Sequence, residues 1–390
     1  MSDPKTATVA EAILRHKEAY LSTHSVDLPA RRLMAVLPLC RTLALGGHMH
    51  RCADCGHEVP CYNSCGNRHC PNCQVLARER WLAKQEAALL DLPYFHLVFT
   101  LPAELQPVLL QNKKEGYNLL FQSVAKTLLQ FGKDPRNELE GQLGFTAVLH
   151  TWNQTLGPHA HLHVLIPAGA LREKEKHFEV IENEKWLFPV KALSRVYRAI
   201  FLKGLLSLHK KEKIVFHGKL ESLREAKCLK DFIDPLYQKE WVVYAKRPFA
   251  GPEQVLAYLG RYTHRVAISN ARILNVNDQT VTFAYRDRKD ASAKKAMTLK
   301  GPEFLRRFFL HTLPDKFTRI RHYGFLGNSV RKKKLPLIRE LIGQKESLKE
   351  PETAEERLER VYDIQLHQCP KCKNGEMRKC HRIPRTRAPP

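Results

Sequence analysis

Three histidines alternate along Pro158 to Gly169, which reads Pro-His-Ala-His-Leu-His-Val-Leu-Ile-Pro-Ala-Gly. Successive residues of a strand face opposite ways, so His159, His161 and His163 share one side while Ala160, Leu162, Val164 and Ile166 share the other. The pattern predicts a strand with its apolar face on a core and a row of imidazoles on its open face. Imidazole is a common metal ligand, and three in register favour metal binding over simple solvation. A second reactive set stands about a hundred residues later in PEQVLAYLGRYTHR, 252–265. Pro252 suits a helix start, and Val255, Leu256 and Leu259 form its apolar stripe. Tyr258 and Tyr262 are one turn apart on such a helix, with Gln254 in the same row and Arg261, His264 and Arg265 around them. A tyrosine hydroxyl, with a free pKa of about 10, is a poor nucleophile. It attacks a phosphodiester if a metal polarises the phosphate, and the phosphotyrosine link formed conserves bond energy for rejoining.

Cysteines supply the third chemistry. Cys52-Ala53-Asp54-Cys55 and Cys70-Pro71-Asn72-Cys73 are knuckles separated by fourteen residues, close to the spacing of a four-thiolate zinc ribbon. Cys61, Cys65 and His69 lie between them, and Cys40, His48 and His50 just before. Cys40, His48, Cys65 and His69 are therefore candidates for a second structural zinc. A third knuckle, Cys369-Pro370-Lys371-Cys372, has Cys380 and His381 as candidate partners for a further ion. Fully liganded zinc has no open position for catalysis, so these are structural sites.

The elements that must position these groups follow from periodicity. Two helical stretches divided near Pro29 are predicted between Glu11 and Leu45, and another at Gln74–Leu90. Phe95–Thr100 and Phe145–Trp152 read as strands. The short link from Trp152 to the histidine strand favours an antiparallel neighbour, which could bring His150 beside His161. A long helical stretch ends at Phe131, and another runs from Val190 to Leu208. Trp241–Tyr244 is a strand followed by Lys246, Arg247 and a turn at Pro248–Gly251. Two strands are expected within Ser269–Arg286, then a helix at Glu303–Leu310. Arg319 and Arg321 among aromatic groups suit single-stranded DNA, where bases stack on rings and phosphates meet cations.

The chain has 390 residues, with 64 Lys+Arg against 40 Asp+Glu, a net charge of +24 and a pI near 9.6. So basic a protein concentrates on polyanions. No apolar run is long enough to span a bilayer, which favours nucleic acid over membrane as partner. Without a signal-peptide layout at the N-terminus, the eleven cysteines are expected in a reducing cytoplasm, in a nucleoid-associated protein of bacterial type.

These motifs resemble the rolling-circle transposases of the insertion-sequence-91 type, two-tyrosine enzymes of the HUH endonuclease superfamily. The resemblance runs from about Leu37 to Leu326. It rests on NSCGNRHCPNCQ, FTLPAEL, HTWNQ, HAHLHVLIPAG, VLAYLGRYTHRVAISN and LRRFFLHTLPDKFTRIRHYGFL; Pro167-Ala168-Gly169 departs from the family's Pro-Gly-Gly. It implies an α+β fold, an antiparallel sheet with flanking helices and the histidines on a middle strand. It makes His161 and His163 ligands of a catalytic Mg²⁺ or Mn²⁺ and Tyr258 and Tyr262 the nucleophiles. His159, Gln254 and His150 remain open as the third ligand.

The expected organisation is an N-terminal helical and zinc-binding domain over 1–90, a catalytic domain over 91–330 and a basic tail over 331–390. The expected function is nicking and rejoining of single-stranded DNA at transposon ends, with Arg261, Arg265, Arg319, Arg321, Lys246 and Arg247 on the DNA. A plasmid relaxase or replication-initiator nickase, and a zinc-dependent DNA-binding regulator without catalysis, are the alternatives.

Overall fold

The computed structural model describes residues 7–86, 88–137, 139–181, 187–249, 254, 255, 258, 260, 263, 264, 266–287, 290–344, 352–363 and 365–386. The N-terminal part comprises α1 (Val9–Leu21), α2 (Leu28–Val36), β1 (Gly47–Cys52), β2 (Glu58–Tyr62) and α3 (Gln74–Glu86). Pro29 stands in the first turn of α2 instead of between two helices, and the Asp27 side chain caps that turn by accepting from the Ala30 amide at 2.8 Å. β3 (Tyr94–Thr100) follows, then α4 (Gln106–Gln111) and α5 (Lys113–Lys133). The expected single long helix breaks at Asn112. Its side chain accepts from the Val215 amide at 2.7 Å and donates to the Val215 carbonyl at 2.8 Å, binding a distant loop at the break.

β4 (Gly144–Trp152), β5 (Pro158–Pro167), a small hairpin of β6 (Gly169–Arg172) and β7 (His177–Val180), α6 (Val190–Lys210), α7 (Ala226–Gln238) and β8 (Val243–Phe249) complete the centre. The strand expected to end at Tyr244 continues as β8 to Phe249, through Pro248 where the turn was expected to begin; Ala250 and Gly251 lie outside the described residues. An edge strand tolerates proline because one of its sides needs no ladder donor. Next come β9 (Ile273–Val276), β10 (Thr280–Asp287), β11 (Ala293–Lys300), α8 (Gly301–Leu310) and β12 (Ile320–Gly324). α9 (Arg331–Leu341), α10 (Ala354–Tyr362) and β13 (Met377–Ile383) end the chain.

The five-stranded sheet has the order β12-β4-β5-β3-β8 with antiparallel pairing throughout. The expected α+β architecture is therefore present, and the histidine strand β5 is its middle strand. Phe95, Leu97 and Phe99 of β3, Phe145, Ala147 and Leu149 of β4, and Ala160, Leu162, Val164 and Ile166 of β5 point to one face. That face meets Tyr117, Leu120, Phe121, Val124 and Leu128 of α5 and Leu193, Tyr197, Phe201 and Leu205 of α6, in the main core. Helical spacing of three and four on one side and period two on the other make the two surfaces complementary.

Besides the β6–β7 hairpin, two three-stranded sheets are found among the described residues. β9, β10 and β11 form an antiparallel meander that shares a core with α1, α2 and α8. β1 pairs with β2 on one side and with β13, from the far end of the chain, on the other.

Candidate metal centres and nucleophile pocket

Period two places His96, His150, His161 and His163 on the sheet face opposite the main core. They come from β3, β4 and β5, the three middle strands. His150 lies directly across the β4–β5 ladder from His161. His161 Nδ1–H donates to the His159 carbonyl at 2.7 Å, which fixes the tautomer and leaves Nε2 as an acceptor. That Nε2 lies 3.2 Å from Nε2 of His163. Two nitrogens bound to one ion at about 2.1 Å stand roughly 3.0–3.4 Å apart, so the spacing is compatible with a shared cation. His150 completes the set, with the ligand atoms of His150, His161 and His163 all within 4.8 Å of one another. His159, the first candidate for third ligand, contributes its carbonyl as an orienting group, and its ring packs 4.8 Å from that of His161. Gln254 is helical and exposed.

Gln254, Val255, Tyr258 and Gly260 are helical. Val255 and Tyr258 pack on Leu82 of α3, Tyr94 and Leu165. This contact buries Tyr258 and points its hydroxyl at the imidazoles. Tyr258 Oη is 2.9 Å from Nδ1 of His163 and hydrogen-bonds to Nε2 of His96. The two histidine rings lie 5.3 Å apart and nearly parallel, with His96 Nε2 3.0 Å from His163 Nδ1. Burial first, then the charge of Lys246 opposite it on β8, pushes the His96 pKa down to about 3. A neutral His96 can accept the hydrogen bond of the Tyr258 hydroxyl. His96 escaped the sequence reading because Tyr94 and Val98 make both faces of β3 apolar, hiding its alternation. Tyr262, Arg261 and Arg265 lie outside the described residues, as does the side chain of Arg247.

Among the described residues the cysteines form two four-thiol clusters, and neither is the expected ribbon. Cys70 and Cys73 meet Cys40 and Cys65; Cys73 Sγ is 3.4 Å from Cys40 Sγ and 3.6 Å from Cys65 Sγ. Hydrogen bonds from Cys65 and then Cys70 hold the Cys40 thiol below its ordinary range, while the same contact with Cys40 raises Cys65. A thiolate ringed by thiols is a site prepared for a soft cation. Cys52 and Cys55 instead meet Cys369 and Cys372. The ribbon fails because β2, running back along β1, carries the chain away from the first knuckle before it reaches Cys65 and Cys70.

His48 and His69 stand outside both clusters. His48 is tied into β1 opposite Arg382 and Cys61, and His69 Nε2 accepts from the Leu313 amide at 3.3 Å. Cys380 and His381 are exposed on β13, whose extended backbone carries them away from the knuckle at Cys369 and Cys372.

Two expected DNA contacts turn inward. Arg319 Nη2 donates to Gln74 at 2.9 Å, and burial lowers its pKa to about 10. The Arg321 guanidinium sits 4.1 Å over the ring of Phe121 and 5.0 Å over that of Phe317, and donates to Asn118 at 2.6 Å. Lys246 is exposed. Among the described residues, no helix is long and apolar enough to cross a membrane.

The sequence matches known protein families and relatives. Residues 144–334 match the family described as "Putative transposase", and residues 12–101 match "Transposase zinc-binding domain" of the insertion-sequence-91 type. "Putative transposase y4qJ" of Sinorhizobium fredii (strain NBRC 101917 / NGR234) is 44% identical over 374 residues, covering 95% of this chain and 94% of the relative. "Transposase for insertion sequence element IS801" of Pseudomonas savastanoi pv. phaseolicola is 29% identical over 312 residues, covering 78% of this chain and 72% of the relative. A solved structure, "Conjugative Relaxase TrwC in complex with mutant OriT DNA", matches 65% of this chain and 75% of its own at 15% identity. Its TM-score is 0.24, too loose a superposition to bear on the fold. The sequence relatives, the zinc-binding match and the transposase match agree: the chain belongs to the insertion-sequence-91 type of transposases.

Proposed function

We propose that this rolling-circle transposase nicks and rejoins single-stranded DNA through a 5′-phosphotyrosine on Tyr258, beside a divalent cation held by His150, His161 and His163. The observation carrying this reading is the placement of the Tyr258 hydroxyl against His163, whose opposite nitrogen faces His161. Three imidazoles converging within 4.8 Å are a donor set suited to a divalent ion. Such an ion, when bound, neutralises charge on the scissile phosphate and steadies the leaving oxygen.

The chain's own groups account for the proton. His163, ligating through Nε2, carries its proton on Nδ1 and donates to Tyr258 Oη. Tyr258 in turn donates to His96 Nε2. As the Tyr258 oxygen bonds to phosphorus, its proton passes to His96 and on to solvent, and the P–O3′ bond breaks, the leaving oxygen taking up a solvent proton to become the 3′-hydroxyl end. Rejoining runs the same steps backwards with a 3′-hydroxyl as nucleophile. Tyr262, four residues further along the chain, is proposed as the second nucleophile, which gives the two linked intermediates that strand exchange needs. Mg²⁺ or Mn²⁺ is the proposed catalytic ion, and Zn²⁺ the structural ion of the Cys40, Cys65, Cys70 and Cys73 cluster. Lys246, Arg247, Arg261 and Arg265 are the proposed contacts to DNA phosphates.

The test is incubation of the full chain with end-labelled single-stranded transposon-end DNA and Mn²⁺. A covalent adduct mapped by mass spectrometry to Tyr258 or Tyr262 is the expected result. Cleavage without any tyrosine-linked adduct overturns it.

A further inference from the structure

The knuckle at Cys52 and Cys55 and the knuckle at Cys369 and Cys372 come from opposite ends of the chain, yet their four sulfurs lie within 4.8 Å of one another. Cys52 Sγ is 3.7 Å from Cys372 Sγ, and Cys55 Sγ is 3.7 Å from Cys369 Sγ. A tetrahedral ion bound to thiolates at about 2.3 Å sets sulfurs roughly 3.8 Å apart. We propose that these four cysteines hold one zinc ion, shared between the two ends, which fastens the C-terminal segment to the N-terminal module.

Several independent features are built for that junction. The Cys55 amide points at Cys52 Sγ at 3.5 Å, and the Gly375 amide at Cys372 Sγ at 3.3 Å. These N–H···S bonds stabilise thiolate, the form that binds metal. A methyl group on Gly375 would collide with Cys52 Sγ and crowd Asp54, so the close approach of the two ends needs glycine there. Backbone pairing continues outward: the Ala53 amide donates to the Glu376 carbonyl at 2.9 Å, and β13 then pairs along β1. Cys52, Cys369 and Met377 are buried together. All four donors are thiols, which select a soft cation, and four of them leave no open position.

The junction also reaches the nucleophile. Just before the second knuckle, α10 lies on α3 through the buried Arg357, which donates to Glu79 at 3.0 Å and to Glu86 at 2.6 Å. The Tyr362 hydroxyl accepts from Arg78 of α3 at 2.8 Å. Leu82, on the same helix, packs on Val255 and Tyr258. The shared zinc thus holds a C-terminal strap across the helix that backs the tyrosine.

Zinc content of the purified full chain decides the matter, without reference to DNA cleavage. Cys52→Ser with Cys55→Ser, and Cys369→Ser with Cys372→Ser, should each lose one equivalent relative to the parent chain. All four substitutions together should still lose only one, and Cys380→Ser with His381→Ala none. Loss of two equivalents in the fourfold variant, or of none in the C-terminal pair, overturns the shared site. For variants that do not fold, differential alkylation of the parent chain replaces them. Chelation should expose Cys52, Cys55, Cys369 and Cys372 as one set; separate exposure of the two pairs counts against it. Hydrogen exchange in α10 and α3 should quicken in the C-terminal pair variant, and unchanged protection there removes the strap.

Discussion

The Tyr258 hydroxyl donates to Nε2 of a buried, neutral His96 while standing 2.9 Å from Nδ1 of His163. One oxygen is therefore flanked by a proton acceptor and by a ring whose other nitrogen faces His161. Tyr258→Phe should abolish the Tyr258-linked adduct while leaving zinc content unchanged. His96→Gln keeps a polar group there but removes a basic nitrogen. Its cleavage rate should fall by about 10²-fold or more, the usual contribution of a positioned base. Single-turnover cleavage at saturating DNA measures this, and a rate within about twofold of the parent removes His96 from the proton path.

His150 faces the proposed ion site from the neighbouring strand, across the ladder from His161. His150→Ala and His161→Ala should each weaken Mn²⁺ binding by about 10²-fold, since each deletes one of three ligands. Titration followed by the free Mn²⁺ paramagnetic resonance signal checks this. Cleavage should also saturate at lower Mn²⁺ than Mg²⁺, because imidazole nitrogen suits the softer ion. Parent-like Mn²⁺ affinity in His150→Ala leaves the site with two histidines at most.

The strand carrying His161 and His163 was legible because one side is wholly apolar and the other repeats a titratable group. His150 was legible as a neighbour because the link from Trp152 to Pro158 is too short for any pairing but antiparallel. His96 was not, since β3 is buried on both faces and period two leaves no trace in such a strand. The cysteine partners were misassigned for a different reason. Local CxxC spacing tells which sulfurs share a turn, but β1 pairs with β13 through contacts between chain ends, and no local pattern encodes that. The same holds for β12, whose pairing with β4 turns Arg321 toward Phe121.

Arg321 lies over two rings and donates to Asn118, so its charge is committed to the fold. Arg321→Ala should destabilise the protein by about 2 kcal/mol, from the lost cation–π contacts and hydrogen bond. Its effect on the salt dependence of single-stranded DNA binding should be nil. Lys246→Ala, at an exposed position, should leave stability alone and lower the slope of log K against log salt by about 0.7, the loss of one phosphate contact. Denaturation and binding isotherms at several salt concentrations separate the two, and a reduced slope for Arg321→Ala reverses the assignment.

His311 is fully enclosed, with Nε2–H donating to the Leu156 carbonyl at 3.0 Å and Nδ1 accepting from Thr151 at 3.2 Å. Burial is the main cause that lowers its pKa to about 4. In the unfolded chain an imidazole titrates near 6.5. As pH falls below 6.5 the unfolded state therefore binds a proton that the folded state refuses, and stability drops until about pH 4. The two and a half units separating these values set a ceiling of about 3 kcal/mol on this loss. His311→Gln retains a donor for Leu156 and cannot titrate, so it should lower stability at pH 7 yet decline less between pH 6.5 and 4. Urea midpoints across that range check the difference, and because other acid-sensitive groups are common to both proteins, parallel pH profiles would exclude His311 as a contributor.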